Sequence, residues 1–189
     1  MHKEQTLIIL KPDAVQRNLV GKIIERFENI GLKIVAMKMA QASPEHASKH
    51  YKLDEEWAKG VYTKAKASYD KENKKLPYKD HMEMGKAIQA RNMKFLCECP
   101  VITAVLQGPH AIELVRKMIG STEPRQALPG TIRGDFASIE SYALTDPRER
   151  VLRNLVHASD SVENAKREIS LWFSPQELFD YQKEMDKHF

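Results

Sequence analysis

The run Asn154-Leu155-Val156-His157-Ala158-Ser159-Asp160-Ser161 holds the residues best placed to do chemistry. One histidine stands between an apolar pair and a series of small polar residues. The apolar pair reads as the end of a buried segment. Ser159, Asp160 and Ser161 read as a helix start, because their side-chain oxygens can accept from the free N–H groups of a first turn. A histidine at such a junction is oriented, partly buried and close to a positive helix end. That setting suits a nucleophile receiving an anionic phosphoryl group. Taken alone, the eight residues fit a hydrogen-bonded core histidine more simply. Lys11 poses the same choice. It follows the apolar run 6–10, where its ammonium would point into a cleft at the strand end, yet a solvated lysine at a turn is the plainer reading.

The elements that would position these groups can be read in order. Residues 6–10 form an apolar run bounded by Pro12, hence a buried strand. Val20, Ile23, Ile24, Phe27 and Ile30 fall at helical spacing, and Gly31 suits the left-handed stop. Residues 32–37 read as a second strand. Ser43 and Pro44 open a short helix carrying His50 and Tyr51. Residues 100–106 are the clearest buried strand. Ile112, Leu114, Val115, Met118 and Ile119 then share a helix face that stops at Gly120, with Arg116 on its last turns. Residues 124–134 read as a loop rich in proline, glycine and arginine. Residues 139–144 alternate weakly, as the start of a further strand would, and 152–156 would complete its pairing. Val162, Ala165 and Ile169 mark another helix, with Glu168 within it. Ser174 to Glu177 is a capping box opening a last short helix.

Between about 54 and 92 the chain is rich in lysine, glutamate and tyrosine and is broken at Pro77. A solvated helical excursion is the favoured reading. A nucleic-acid surface is the rival, since Tyr62, Tyr69 and Tyr78 interleave with lysines, but Asp70, Glu72 and Asp80 dilute the charge. Without the excursion the order is βαββαβ. This is an α+β chain with a ferredoxin-like, antiparallel four-stranded sheet and helices packed on one face.

Composition narrows the classes. With 189 residues the chain suits one domain and can bury a core without staples. Its net charge of +4 fits anionic small substrates and decides little else. Cys97 and Cys99 stand two apart with no further ligands near, against both a disulfide framework and a metal site. No apolar run approaches a membrane span and no signal pattern opens the chain, so a soluble, cytoplasmic protein is expected.

Neither a G-x-x-x-x-G-K-[ST] loop nor a G-x-G-x-x-G stretch is present. A phosphate enzyme would have to work without either cradle. The motifs that remain resemble those of the nucleoside diphosphate kinase family. Lys11-Pro12-Asp13-Ala14-Val15-Gln16-Arg17 resembles its opening motif. Pro129-Gly130-Thr131-Ile132-Arg133-Gly134-Asp135-Phe136 resembles its loop motif, and Asn154 to Ser161 its active-site signature. The three separated motifs stand in the right order, and apart from two extra stretches the resemblance covers nearly the whole chain, read as a single domain, 1–189, with insertions at about 54–92 and 142–152.

The resemblance implies transfer of the γ-phosphoryl of a nucleoside triphosphate to a nucleoside diphosphate by a ping-pong route, with His157 as phosphohistidine. It implies Lys11, Arg116 and Arg133 as phosphate-binding cations, Thr122 as a hydroxyl donor, and Asn154 as a sugar and phosphate contact. Tyr51 becomes the aromatic near the histidine, Glu168 the carboxylate bonded to the imidazole, and Ser159 its support. Mg2+ is expected on the nucleotide's own phosphates, with few protein ligands. Nucleoside di- and triphosphates are the expected partners, in a homo-oligomer (a hexamer or tetramer) built from a common dimer. The family's paired-phenylalanine segment, one ring of which stacks on the base, is displaced by the excursion, and Ala87-Ile88-Gln89-Ala90 stands near its place. The excursion is expected to lie over the nucleotide end of the cleft, where Tyr62, Tyr69 or Tyr78 could stack on the base. A nucleic-acid-binding ferredoxin-like module and a phosphohistidine signalling protein are the alternative functions.

Overall fold

The computed structural model describes residues 4–184. Among them the sheet has four strands: β1 (Glu4–Leu10), β2 (Lys33–Ala40), β3 (Val101–Gly108) and β4 (Val156–Ala158). The order across the sheet is β2-β3-β1-β4, and every neighbouring pair is antiparallel. The helices are α1 (Pro12–Gln16), α2 (Val20–Asn29), α3 (Pro44–His50), α4 (Glu55–Lys71), α5 (His81–Leu96), α6 (Ala111–Ile119), α7 (Ile132–Phe136), α8 (Tyr142–Thr145) and α9 (Val162–Trp172). With the added helices set aside, β1, α2, β2, β3, α6 and β4 give the expected ferredoxin-like order.

The sheet is covered on both faces, not one. Ile8 and Leu10 of β1 pack with Ile23 and Phe27 of α2 and Val115 of α6. Leu7 and Ile9 pack on the opposite side with Ala47 of α3 and Ile169 and Trp172 of α9. Alternate residues of a strand face opposite ways, so an unbroken apolar run is the mark of a strand buried twice. β2 lies at an edge and carries a bulge between Ile34 and Ala36.

The helix starts obey local chemistry. Ser43 Oγ accepts from His46 N at 3.1 Å, with Pro44 next in line. Asp54 and Asp80 cap α4 and α5, each accepting at 2.8 Å. Ser161 Oγ caps α9 by accepting from Asn164 N at 3.1 Å. Gly31, at φ +83°, turns the chain from α2 into β2.

The expectations differ from the structure in several places. Pro12 opens the short helix α1, where a turn was expected, because proline suits a first helical position. The expected loop ends in α7, which Thr131 caps by accepting from Gly134 N. Residues 142–145 form α8 and not a strand; Ser141 O takes the amides of Leu144 and Thr145. The strand expected at 152–156 is displaced and becomes Val156–Ala158. The last short helix is a single 3-10 turn, Pro175–Glu177, with its capping box present. Cys97 ends α5 and Cys99 lies in the turn before β3; both are free thiols.

The excursion is a helical hairpin, α4 and α5. A side chain on Gly85 would bring its Cβ within 2.9 Å of Ala58 Cβ, so the two helices meet through small residues. The hairpin is fastened to the second added stretch. Tyr69 OH donates to Asp146 Oδ2 at 3.2 Å, and Arg91 Nη1 to Asp146 Oδ1 at 2.8 Å. Ser68 Oγ and Tyr142 N both donate to Glu123 Oε1, at 2.7 and 3.1 Å.

Candidate active site

His157 lies on β4 opposite Ile9, and its side chain keeps 23 % of its exposure. Leu155, two residues earlier, has φ +68°. Val156 N–H donates back to Asn154 O at 2.8 Å, closing a three-residue γ-turn of the rare, strained hand. Such a conformation costs about 1–3 kcal/mol and persists only when its surroundings impose it. Here they do. Asp13 Oδ2 accepts from Leu155 N at 3.1 Å, Lys11 N donates to Leu155 O at 2.8 Å, and the Leu155 side chain is fully buried. Burial pushes the Asp13 carboxyl up, against the pull of the Lys11 charge.

Arg133 completes the clamp. Its Nε donates to Asn154 O at 3.0 Å, Nη2 to Val156 O at 2.5 Å and Nη1 to Gly120 O at 2.9 Å. Gly120 sits at φ +79°, where a Cβ would stand 2.5 Å from Thr131 Oγ1, so the backbone reaches Arg133 only as glycine. Three of the five guanidinium N–H groups are thus committed to main chain, and two remain for an anion. Burial, then the charge of Arg116, brings Arg133 down to about 10, which leaves it a cation at neutral pH. Arg116 itself is exposed on α6.

Lys11 Nζ donates to Asn154 Oδ1 at 2.7 Å, and Asn154 Nδ2 donates to Thr122 O at 2.7 Å. Burial and the Arg133 charge pull Lys11 down to about 8, with Asp13 offsetting only part. Two neighbouring cations, with no carboxylate among the described residues bonded to Lys11 Nζ, prepare a place for negative charge.

The imidazole is oriented from the other side. His157 Nε2 lies 3.0 Å from Glu168 Oε2, and Ser159 Oγ donates to the same oxygen at 2.7 Å. Arg167 Nη2 donates to Oε1 at 3.3 Å. Burial works to raise the Glu168 pKa, but the His157 charge and hydrogen bond outweigh it and hold the carboxyl at about 2. An ionised carboxylate only accepts, so Nε2 carries the hydrogen and Nδ1 the lone pair. Ser159 donates to Glu168 as the resemblance implied and accepts from Leu7 N at 3.3 Å, while the helix start falls to Ser161. Tyr51 follows α3 as its C-cap; its ring lies 4.7 Å from that of His50, and burial with the Glu168 charge drives its phenol well up.

The nine expected site residues therefore converge. His157, Glu168 and Ser159 form one chain of contacts. Lys11, Asn154, Thr122 and Arg133 form a second, joined to the first through the backbone of Val156 and His157. Arg116 and Tyr51 flank them. Sequence reading gave no role to Asp13, His50 or Trp172, although the first two lie inside the runs it singled out. On α4, Lys59 pairs with Glu55 and Lys66 with Asp70, each one helical turn away, which is the pattern of a solvated face. Tyr69 is 3 % exposed and its hydroxyl is taken by Asp146, so it cannot stack on a base. Tyr78 lines a separate cleft of about 550 Å3 with Lys75, Arg91 and Pro147. A second cleft, about 530 Å3, is lined by Arg116, Asp160 and Ser161 but not by His157.

The sequence compares directly with known proteins. The family model for nucleoside diphosphate kinase matches residues 4–69 and 61–178, its two segments overlapping within α4. The chain belongs to the nucleoside diphosphate kinase family. A nucleoside diphosphate kinase of Pyrobaculum aerophilum is 46 % identical over 184 residues, covering 95 % of this chain and all of that protein. One of Methanocaldococcus jannaschii is 45 % identical over 178 residues, covering 94 % and 99 %. A crystal structure of the Pyrobaculum aerophilum NDP kinase superposes with a TM-score of 0.88 at 44 % identity, over 95 % of this chain and 100 % of that one. A transition-state mimic of the nucleoside-diphosphate kinase from Borrelia burgdorferi, with bound vanadate and ADP, superposes at 0.81 and 34 % identity, over 98 % and 96 %. Membership in this phosphotransferase family fits a site rich in cations around one oriented imidazole. No helix among the described residues is long and apolar enough to cross a membrane.

Proposed function

We propose that this member of the nucleoside diphosphate kinase family carries the γ-phosphoryl group on His157 Nδ1, between a nucleoside triphosphate and a nucleoside diphosphate. The observation that carries the reading is the Glu168 contact, which keeps hydrogen on Nε2 and the lone pair on Nδ1. In the first half-reaction Nδ1 attacks phosphorus, an N–P bond forms, and the bond to the β–γ bridging oxygen breaks. The diphosphate leaves with that electron pair. In the second, a terminal oxygen of another nucleoside diphosphate attacks phosphorus and the N–P electrons return to the ring. Glu168 balances the positive charge that develops on the imidazole. Lys11, Arg133 and Arg116 neutralise the phosphates, which is most of what phosphoryl transfer asks of a protein. Asn154 and Thr122 position the sugar and phosphates, and Tyr51 walls the histidine.

The residues fit Mg2+ brought in on the nucleotide rather than caged by protein. The one grouping with metal-like spacing among the described residues offers two imidazoles and a carboxylate, the wrong donors for magnesium. Asp13 Oδ1, buried without a hydrogen-bond partner among them, is the carboxylate oxygen free to help. Bound Mg2+ would supply positive charge that offsets that of the phosphates. We further propose a cytoplasmic homo-oligomer, a hexamer or tetramer built from dimers. The edge strand β2 supports this, with Met37 and Met39 more than half exposed.

Steady-state exchange between ATP and a second nucleoside diphosphate tests the proposal. Parallel double-reciprocal lines are expected, with no exchange in His157→Ala. Intersecting lines, or full activity in that variant, would rule it out. Turnover also separates this function from a signalling protein that only holds a phosphohistidine.

A further inference from the structure

His50, the last residue of α3, lies against His157 and has no part in the phosphoryl transfer described above. It is 3 % exposed, and its ring centroid stands 4.5 Å from that of His157, edge to face at 81°. His50, His157 and Glu168 offer ligand atoms all within 4.8 Å of one another. By spacing alone this cluster suits a transition metal such as zinc, which takes imidazole and carboxylate donors. A metal there would occupy the nucleophile.

The hydrogen bonds around His50 close that route. Trp172 on α9 donates Nε1–H to His50 Nδ1 at 3.3 Å. An indole nitrogen donates only, so Nδ1 must present its lone pair. In a neutral ring the hydrogen is then on Nε2. That nitrogen is buried and without a hydrogen-bond partner among the described residues, at a cost of about 1–3 kcal/mol. The other tautomer would set Nδ1–H against the Trp172 N–H. An imidazolium would do the same, and burial together with the His157, Arg167 and Lys11 charges disfavours it against the pull of Glu168. Whichever nitrogen faces the cluster is closed to a metal: Nδ1 is taken by Trp172 and Nε2 bears a hydrogen.

We propose that Trp172 locks His50 in the neutral Nε2–H tautomer, and that this lock keeps transition-metal ions off His157 and reserves the Glu168 carboxylate for it. His50 and Trp172 are thus positioning residues. The benefit to catalysis rests on His157 being the phosphoryl carrier, whereas the tautomer and metal exclusion can be read with no turnover at all.

The test uses the full chain, free of nucleotide. With 15N-labelled histidine, long-range 1H–15N correlation should show His50 neutral with hydrogen on Nε2, the signal being assigned by its loss in His50→Gln. Zn2+ alone, titrated calorimetrically, should bind Trp172→Phe at least ~10-fold more tightly than the wild type, on the scale that an outer-shell partner changes metal affinity. The gain should vanish in the double variant with His50→Gln. A wild-type His50 carrying its hydrogen on Nδ1 would overturn the proposal, as would equal Zn2+ affinity in the wild type and Trp172→Phe. Should Trp172→Phe fail to fold, the wild-type spectrum decides alone. Labelling of His157 from ATP, done separately, reports on the carrier reading and leaves the tautomer result untouched.

Discussion

Ser159 and His157 share one oxygen of Glu168: Ser159 Oγ lies 2.7 Å and His157 Nε2 3.0 Å from Oε2. The serine takes up one lone-pair direction, so the imidazole meets the oxygen at a fixed angle. Ser159 and His157 are on the same short segment, while Glu168 comes from the second turn of α9. The strand end and the helix start thereby set the ring jointly.

Glu168→Gln should lower kcat by roughly 10–100-fold with little change in KM, the usual scale for losing a histidine's outer partner. The amide can still accept from Nε2–H but cannot balance charge. The variant should also lose acid sensitivity. The folded carboxyl sits near 2, below its unfolded value, so its contribution is full above about pH 4.5 and lost as pH falls through the folded value. Chemical unfolding at pH 5 and pH 2.5 measures the difference, which should shrink in the variant. An increased KM with unchanged kcat would contradict the orienting role.

Lys11 gives an alkaline limit. At about 8, its ammonium is charged below that pH and neutral above it. The pH profile of kcat/KM reports the free enzyme, so kcat/KM for ATP should fall as pH rises through about 8. Bound phosphates hold the proton on, so kcat at saturation should fall only at higher pH. A kcat/KM profile flat to pH 10 would contradict a phosphate-binding ammonium here.

Tyr69→Phe distinguishes a brace from a lid. Its hydroxyl donates to buried Asp146, which Arg91 also holds. Loss should destabilise the fold by about 1 kcal/mol, read as a shift in urea midpoint, with KM for purine and pyrimidine nucleotides unchanged. A base-dependent rise in KM would restore Tyr69 to the nucleotide site.

Much of this site was legible because its parts are local. The apolar run of β1, the Ser43 and Ser161 caps and the Gly31 stop each follow from a few neighbouring residues. The motifs placed Lys11, Arg133 and Asn154 because their spacing is tied to short elements. The γ-turn at Leu155 was not legible, since leucine has no local preference for positive φ. Asp13 and Lys11, more than a hundred positions away, impose it. α8 was misread because four residues carry too little period to separate helix from strand. The second covered face was missed although Leu7 and Ile9 announced it. The Trp172–His50 bond joins residues 122 apart and leaves no trace in either neighbourhood.

The most direct measurement is the covalent intermediate itself. The protein is incubated with [γ-32P]ATP and Mg2+, separated from nucleotide, and treated with acid, with base, or with a nucleoside diphosphate. One acid-labile, base-stable label per chain is expected, on Nδ1 of His157, absent from His157→Ala and discharged in full by the nucleoside diphosphate. A protein that exchanges phosphoryl groups between nucleotides yet takes no label, or takes it elsewhere than His157, would contradict His157 as the phosphoryl carrier.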